Sequence, residues 1–170
     1  MLLIDETNDG KQFASIDGVN KVFLAKQNNN FAEDLTAILN QLHSKHNFSH
    51  IFVPSSIHAK DFLPRFAAQV GSQPLTDIIK VIDENTFVRN TYAGNAVTTI
   101  KCNTPVKCAM VRSASFVPEK NTKDPVDIEI VDFDLSAVQK PKLLASNVTS
   151  NSSRPDLTTA NTIISGGRGL

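Results

Sequence analysis

The chain has 170 residues, of which 41% are hydrophobic and 20% are charged, and its 17 basic residues balance 17 acidic ones. This composition is typical of a soluble globular protein, and the balance of charge excludes the strong positive field that nucleic acid or an anionic membrane would attract. No apolar run approaches the roughly 20 residues that a membrane-spanning helix needs, and the N-terminus has the pattern of neither a secretory signal nor a transit peptide.

The first half of the chain predicts a strand–helix–strand–helix order. Val22–Ala25 and Ile51–Val53 are short apolar runs bounded by polar residues, as expected of buried strands. Residues 31–46 between them carry apolar side chains at helical spacing, with acidic residues in the first turn. In the second helix we expect Pro64 in the first turn and the cap near Asp61, because an interior proline removes a backbone hydrogen bond. Short connections of this kind predict a parallel sheet with right-handed crossovers.

The following part of the chain contains only strand-like segments. These are Ile78–Ile82, Thr86–Tyr92, Ala96–Ile100, Cys108–Val111 and Ile128–Val131. Residues 83–85 and 93–95 have turn chemistry, so the first three strands should form antiparallel hairpins. We therefore predict an α/β domain with a mostly parallel sheet and an antiparallel extension.

The C-terminal part changes in composition. Residues 140–155 are rich in Lys, Ser, Asn, Thr and Pro, which predicts a linker. Thr162–Ile164 is predicted to be a buried strand, and it runs into the sequence Ser165-Gly-Gly-Arg-Gly169. A strand that enters a glycine-rich turn normally continues into a helix, so residues 156–170 have the pattern of the truncated start of a second α/β domain.

The glycine-rich turn carries the strongest chemical signal. Its glycines allow a ligand to approach the backbone and leave amide groups free for phosphate or flavin oxygens. Arg168 adds a permanent positive charge suited to pyrophosphate or to a reduced flavin. Taken alone, the motif favours a plain glycine turn with a surface arginine, and the preceding strand makes the two interpretations about equal.

Two further segments have a functional and a structural interpretation. Tyr92–Asn95 could place an asparagine in a backbone nest, although a tight turn with Gly or Asn at positive φ is favoured. Arg65 could reach a ligand at a helix N-terminus, although a structural ion pair or a contact with a partner domain is favoured.

Other reactive side chains favour structural roles. Cys102 and Cys108 have neither zinc nor CxxC spacing, and we expect small buried thiols in a reducing compartment. The histidines lie in different positions of loops and helices, so no metal site is predicted; they are His43, His46, His50 and His58. Asp77, Asp83 and Glu84 are interpreted as solvated loop charges.

Several segments in the same order resemble one family, the alpha subunits of electron-transfer flavoproteins. The resemblance begins near Lys21, and the matching pieces are Lys21–Ala25, His50–Val53, Phe62–Ala68, Thr76–Ile79, Thr86–Ala96 and Arg154–Leu170. It implies a nucleotide-binding-type, three-layer α/β domain in residues 1–139, a linker in 140–155 and the truncated start of the FAD domain in 156–170. The strand and helix with which the family opens, and most of the FAD domain, would then be missing.

The same resemblance, closest to the mitochondrial branch, implies a function. The protein would be an electron carrier without its own substrate, forming a heterodimer with a beta subunit and carrying one FAD. It would pass electrons from acyl-CoA and related dehydrogenases to a membrane quinone oxidoreductase in the mitochondrial matrix. Only Arg168 maps onto a cofactor contact of the family, so we expect weak or no FAD binding by this chain alone. The alternatives are a stand-alone adenine-nucleotide-binding module and a structural partner domain without a redox role.

Overall fold

A computed structural model describes residues 10–26, 31–117, 123–145, 157 and 160–169, and the main chain of residues 2–4. The contacts divide the chain into two units, Met1–Lys140 and Pro141–Leu170. The helices and strands of the described residues all belong to the first unit. Among the described residues no helix is long and apolar enough to cross a membrane.

The first unit alternates strands and helices and then continues with strands. The strands are β1 (Leu2–Ile4), β2 (Val22–Ala25), β3 (His50–Pro54), β4 (Pro74–Val81), β5 (Thr86–Thr91), β6 (Ala96–Lys101), β7 (Lys107–Val111) and β8 (Ile128–Ile130). The α-helices are α1 (Lys11–Ala14), α2 (Ala32–His46) and α3 (Ile57–Gln69), and single 3-10 turns lie at Tyr92–Gly94 and Ser113–Ser115.

These strands form two sheets, one parallel and one mixed. The first has the order β1-β2-β8 and is parallel throughout. The second has the order β3-β7-β4-β5-β6, in which β3, β7 and β4 are parallel and β5 and β6 are antiparallel additions. Tight turns can join only antiparallel neighbours, whereas parallel neighbours need long crossovers. The predicted α/β fold with a mostly parallel sheet and an antiparallel extension is therefore confirmed.

The core lies between the helices and the sheets. The apolar stripe of α2 buries Leu35, Ile38, Leu39 and Leu42, in agreement with its predicted helical spacing. Helix α3 buries Leu63 and Phe66 against residues of β3 and β7. The two helices thus pack against each other and cover the sheets.

The prediction for Pro64 is wrong, because it lies in the interior of α3 rather than in the first turn. The helix begins earlier, where the Oγ atom of Ser56 accepts a hydrogen bond of 3.1 Å from the amide of Ala59. A serine cap stabilises a helix start by about 1 kcal/mol, and burial of Leu63 and Phe66 offsets the hydrogen bond lost at the proline.

The first strand and the first helix were not predicted. Both β1 and α1 precede Val22, and β1 pairs in parallel with β2. These two elements lie within residues 1–18, and the expectation about the strand and helix with which the family opens stays a prediction. Elements of three or four residues are too short to show a hydrophobic period, so pairing rather than local sequence defines them.

The second unit departs from prediction at Thr162–Ile164. These residues form no strand and are exposed, and Ile164 reaches 97% exposure. A short apolar run keeps strand geometry only when a neighbouring strand pairs with it, so the predicted buried strand is wrong for this chain. Residues 141–145 are exposed and irregular, and the remainder of the predicted linker, 146–155, lies outside the described residues.

Candidate functional sites and family membership

The glycine-rich turn of the second unit is open to solvent. Arg168 is exposed and forms part of a turn with Gly169. A Cβ atom added to Gly167 or Gly169 would meet nothing within 4 Å, so no close approach to the chain's own atoms requires these glycines. The turn offers backbone amides and one guanidinium group to a ligand, but residues 160–169 form no enclosed wall around it.

A flavin dinucleotide needs more than this turn provides. Cofactor sites bury most of their ligand in a concave, mostly apolar pocket with a few placed polar groups. The described residues of the second unit are almost all exposed, and they supply a contact for phosphate or flavin oxygens without a surface for the ring system. The role of Arg168 as a cofactor contact therefore stays a prediction.

The carboxyl ends of the parallel strands are the usual ligand-binding edge of an α/β sheet. Here β3 and β7 end at Pro54 and Val111, and Arg112 follows directly. Its guanidinium group binds both carboxylate oxygens of Asp77, at 2.9 and 2.6 Å. The interpretation of Asp77 as a solvated loop charge is therefore wrong: it occupies a bulge in β4 with a φ of 63°. Because the two charges neutralise each other, the edge does not present Arg112 as a free phosphate ligand.

An apolar cavity of about 430 Å³ lies between β2, α2 and β3. Its walls include Phe23, Leu39 and Phe52, and His50 is its one polar lining side chain among the described residues. His50 already bonds the main-chain oxygen of Glu84 through Nε2 at 2.6 Å and the hydroxyl of Ser49 through Nδ1. A cavity without an uncommitted polar group can bind apolar atoms but offers no catalytic chemistry.

Arg65 forms the predicted structural ion pair. Its Nη1 atom lies 2.5 Å from Oε1 of Glu33, which connects α3 to the first turn of α2. The hydrogen bond from Arg65 lowers the pKa of Glu33 below its usual value of 4.5. Arg65 is therefore a helix–helix contact in the first unit.

The hairpin turn between β5 and β6 is more strained than the sequence indicates. Gly94 has the expected positive φ, whereas Asn95 has a φ of −73° and does not. Instead Tyr92 and Ala93 adopt positive φ angles of 50° and 56°, a region that costs L-residues about 1–2 kcal/mol each. The prediction of a tight turn is confirmed, with Gly94 rather than Asn95 at positive φ.

The cysteine thiols are buried and free, as predicted. Burial is the main cause that raises the pKa of Cys108 from 9.0 to about 11. Since the thiolate is the nucleophilic form, this thiol is unreactive at neutral pH.

The histidines mostly contact aromatic rings. His43 packs edge-on against Phe66 at 5.9 Å between centroids, and His46 stacks on Phe48 at 5.6 Å. Within the described residues, no group of three or more His, Cys, Asp or Glu side chains is arranged to hold a metal ion.

Comparison with known proteins decides the family. Residues 5–136 match the family model described as "Electron transfer flavoprotein domain". The chain belongs to the electron transfer flavoprotein family. This membership agrees with the mixed α/β fold, and the match spans almost the whole of the first unit.

The similar curated proteins are alpha subunits. The chain is 33% identical over 171 residues to "Probable electron transfer flavoprotein subunit alpha, mitochondrial" of Caenorhabditis elegans, covering 96% of this chain and 50% of that protein. It is 32% identical over 160 residues to "Electron transfer flavoprotein subunit alpha" of Pseudomonas aeruginosa, covering 92% and 50%. For the "Probable electron transfer flavoprotein subunit alpha, mitochondrial" of Saccharomyces cerevisiae the identity is 33% over 139 residues, covering 81% and 40%. The chain thus spans about half the length of the relatives it matches.

Proposed function

We propose that this chain is the N-terminal part of an electron transfer flavoprotein alpha subunit. In a heterodimer with a beta subunit, it would form part of an FAD-dependent electron carrier. The carrier would take electrons from acyl-CoA and related dehydrogenases of fatty-acid β-oxidation and pass them to a membrane quinone oxidoreductase. The domain division that goes with this proposal is 1–139 for the N-terminal domain, 140–155 for the linker and 156–170 for the start of the FAD domain.

The family match over residues 5–136 carries this proposal. The names of the relatives support the alpha-subunit role, and those from C. elegans and S. cerevisiae support a location in the mitochondrion, which we propose to be the matrix. That the protein is a carrier rather than an enzyme is likewise a proposal, which rests on the family match.

Arg168 is proposed as a cofactor contact. Its exposure leaves the guanidinium group accessible to pyrophosphate or to a reduced flavin. The open geometry of residues 160–169 also supports the expectation that this chain alone binds FAD weakly or not at all.

Co-expression with a beta subunit of the same family tests the proposal. We expect the two chains to co-elute as a heterodimer in size-exclusion chromatography, and we expect the 170-residue chain alone to show no stoichiometric flavin absorbance. In a complex that carries flavin, Arg168→Ala should lower the flavin content, whereas the matched variant Arg65→Ala should not. Failure to co-elute would contradict the alpha-subunit role.

Two other results would redirect the assignment. Stoichiometric yellow flavin on the chain alone would contradict the expectation that the turn at Arg168 is an incomplete site. Calorimetric binding of AMP or ATP by the chain alone would favour the stand-alone nucleotide-binding module, against which the Asp77–Arg112 pair argues.

A further inference from the structure

The segment after β8, residues 131–140, runs back along α2 towards its N-terminus. It starts at Val131, which is buried with Ile38 and Leu42 of the helix. It then passes Gln41, whose Nε2 atom donates a hydrogen bond of 2.9 Å to the main-chain oxygen of Asp134. We call residues 131–140 the strap.

The end of the strap reaches the first turns of α2. Val138 and Gln139 border a polar groove together with Thr36 and Glu33. The Nζ atom of Lys140 lies 3.0 and 2.9 Å from the two carboxylate oxygens of Asp34. Successive residues of the strap therefore contact successively earlier residues of α2, from Leu42 to Asp34, and the last contact is an ion pair.

This ion pair differs from the other ion pairs of the described residues in its burial. The side chain of Asp34 is 1% exposed and that of Lys140 is 37% exposed, whereas the carboxylates of the other pairs are 22% to 48% exposed. A carboxylate that leaves water needs a counter-charge, and removing the counter-charge leaves it uncompensated. Asp34 also lies in the first turn of α2, where the helix dipole favours a negative charge.

Few contacts hold the second half of the strap in place. Phe133 and Leu135 are partly buried against the core, and Asp134 accepts bonds from the amide and hydroxyl of Ser136. The amide of Val138 bonds only within the strap, to the oxygen of Leu135 at 3.1 Å. Between Leu135 and Pro141, Val138 and Gln139 border α2 at the polar groove, and the pair of Lys140 with Asp34 is the ion pair that joins this part of the strap to the helix.

Lys140 is also the residue at which the first unit ends. With the ion pair closed, the chain leaves the first unit at Lys140, and the second unit begins at Pro141. With it open, the last contacts of the strap with the core would be those of Phe133 and Leu135, so the exit point would move back by five residues, from Lys140 to Leu135. A flexible segment of that length adds a reach of about 12 Å.

We propose that Asp34 and Lys140 form a latch that fixes the exit point of the chain from the first unit. The latch shortens the tether of the segment that carries Arg168 by holding the strap on α2. It does not depend on electron transfer, because it rests on contacts within the first unit alone.

Hydrogen exchange on the 170-residue chain, followed by mass spectrometry, tests the latch. In Lys140→Met, which keeps the length of the side chain and removes its charge, we expect the amides of Ser136 and Val138 to exchange about tenfold faster or more. Lys140→Arg should keep the wild-type rate, since its guanidinium group can bind both oxygens of Asp34. Lys142→Met, a neutralised lysine in the exposed segment that follows, is the matched control and should leave the strap unchanged.

A double-mutant comparison separates the latch from independent effects. Asp34→Asn should speed strap exchange like Lys140→Met, and the double variant should be no faster than either single one. Three results would overturn the proposal. They are a double variant in which the rate increases of the two single variants multiply, an unchanged strap exchange rate in Lys140→Met, and an equal rate increase in Lys142→Met. If Asp34→Asn does not fold, Lys140→Met, Lys140→Arg and Lys142→Met decide the matter without it.

A fluorophore attached to the thiol of an Ala145→Cys variant tests the tether. Cys102 and Cys108 are buried, so the label should react with the introduced thiol. Opening the latch with Lys140→Met should lower the fluorescence anisotropy of the label, because the mobile segment becomes longer. Faster strap exchange with unchanged anisotropy would overturn the inference that the latch sets the exit point. Loss of flavin or of the beta-subunit complex would bear only on the proposed function.

Discussion

Replacing Leu63 by alanine should lower the free energy of unfolding by about 3 kcal/mol. The side chain is 0% exposed and packs in α3 against Phe66, Cys108 and Met110. Removing three methylene-sized groups costs about 2.4 kcal/mol in lost burial, and the remaining cavity raises measured Leu→Ala losses to about 2.7–5.0 kcal/mol. The flexible side chain of Met110 can fill part of that space, so the loss should lie in the lower half of the range.

Urea denaturation followed by circular dichroism measures this loss. With a slope of about 2 kcal/mol per molar urea, the midpoint should fall by about 1.5 M. Ile57→Ala removes a side chain of the same size from the same helix, but that side chain is 86% exposed. It should change the free energy of unfolding by less than about 0.5 kcal/mol.

The comparison between the two positions is decisive. An equal loss at Leu63 and Ile57, or a loss below about 1 kcal/mol at Leu63, would refute the assignment of α3's inner face. Similar slopes in both variants are required for the comparison, because a changed slope means that the unfolding is no longer the same transition.

Three further results follow from local chemistry. Burial raises the pKa of Cys108 from 9.0 to about 11. The free energy of unfolding should therefore be insensitive to this group below pH 9 and should fall between pH 9 and pH 11. Cys108→Ala should flatten that part of the pH profile. Gly94→Ala forces a Cβ into a φ of 93° and should lower stability by about 1 kcal/mol in thermal denaturation, whereas Gly167→Ala should have no effect. Arg65→Ala should return the pKa of Glu33 towards 4.5 in an NMR titration. The stabilisation that Arg65 supplies is present above pH 4.5 and lost on acidification. An unchanged titration of Glu33 would contradict the ion pair between Arg65 and Glu33.

The sequence predicted those elements whose signal is local and long enough. The apolar spacing from Leu35 to Leu42 defines α2 by itself, because a helix places residues three and four apart on one face. The hairpin β5–β6 follows from a turn that contains Gly94. Family membership also followed from the sequence, since it depends on the order of segments and not on their packing.

Other predictions failed because the preference of a single residue or short run does not by itself decide the structure. Pro64 alone favours a helix start, but the Ser56 cap and the buried face of α3 fix the start seven residues earlier, at Ile57. In the same way, the apolar character of Ile163 and Ile164 favours a strand, although strand geometry also requires a partner.

What the sequence determined by itself is therefore the type of each long element, the turns between antiparallel strands and the family. Only the tertiary structure decided which charges meet. Asp77 and Arg112 are 35 residues apart, and Asp34 and Lys140 are 106 residues apart, so no local pattern marks either pair. Coulomb attraction acts through space and depends on the burial that surrounds it. Whether Lys140 is a linker charge or the end of a latch is set by the path that the strap takes over α2.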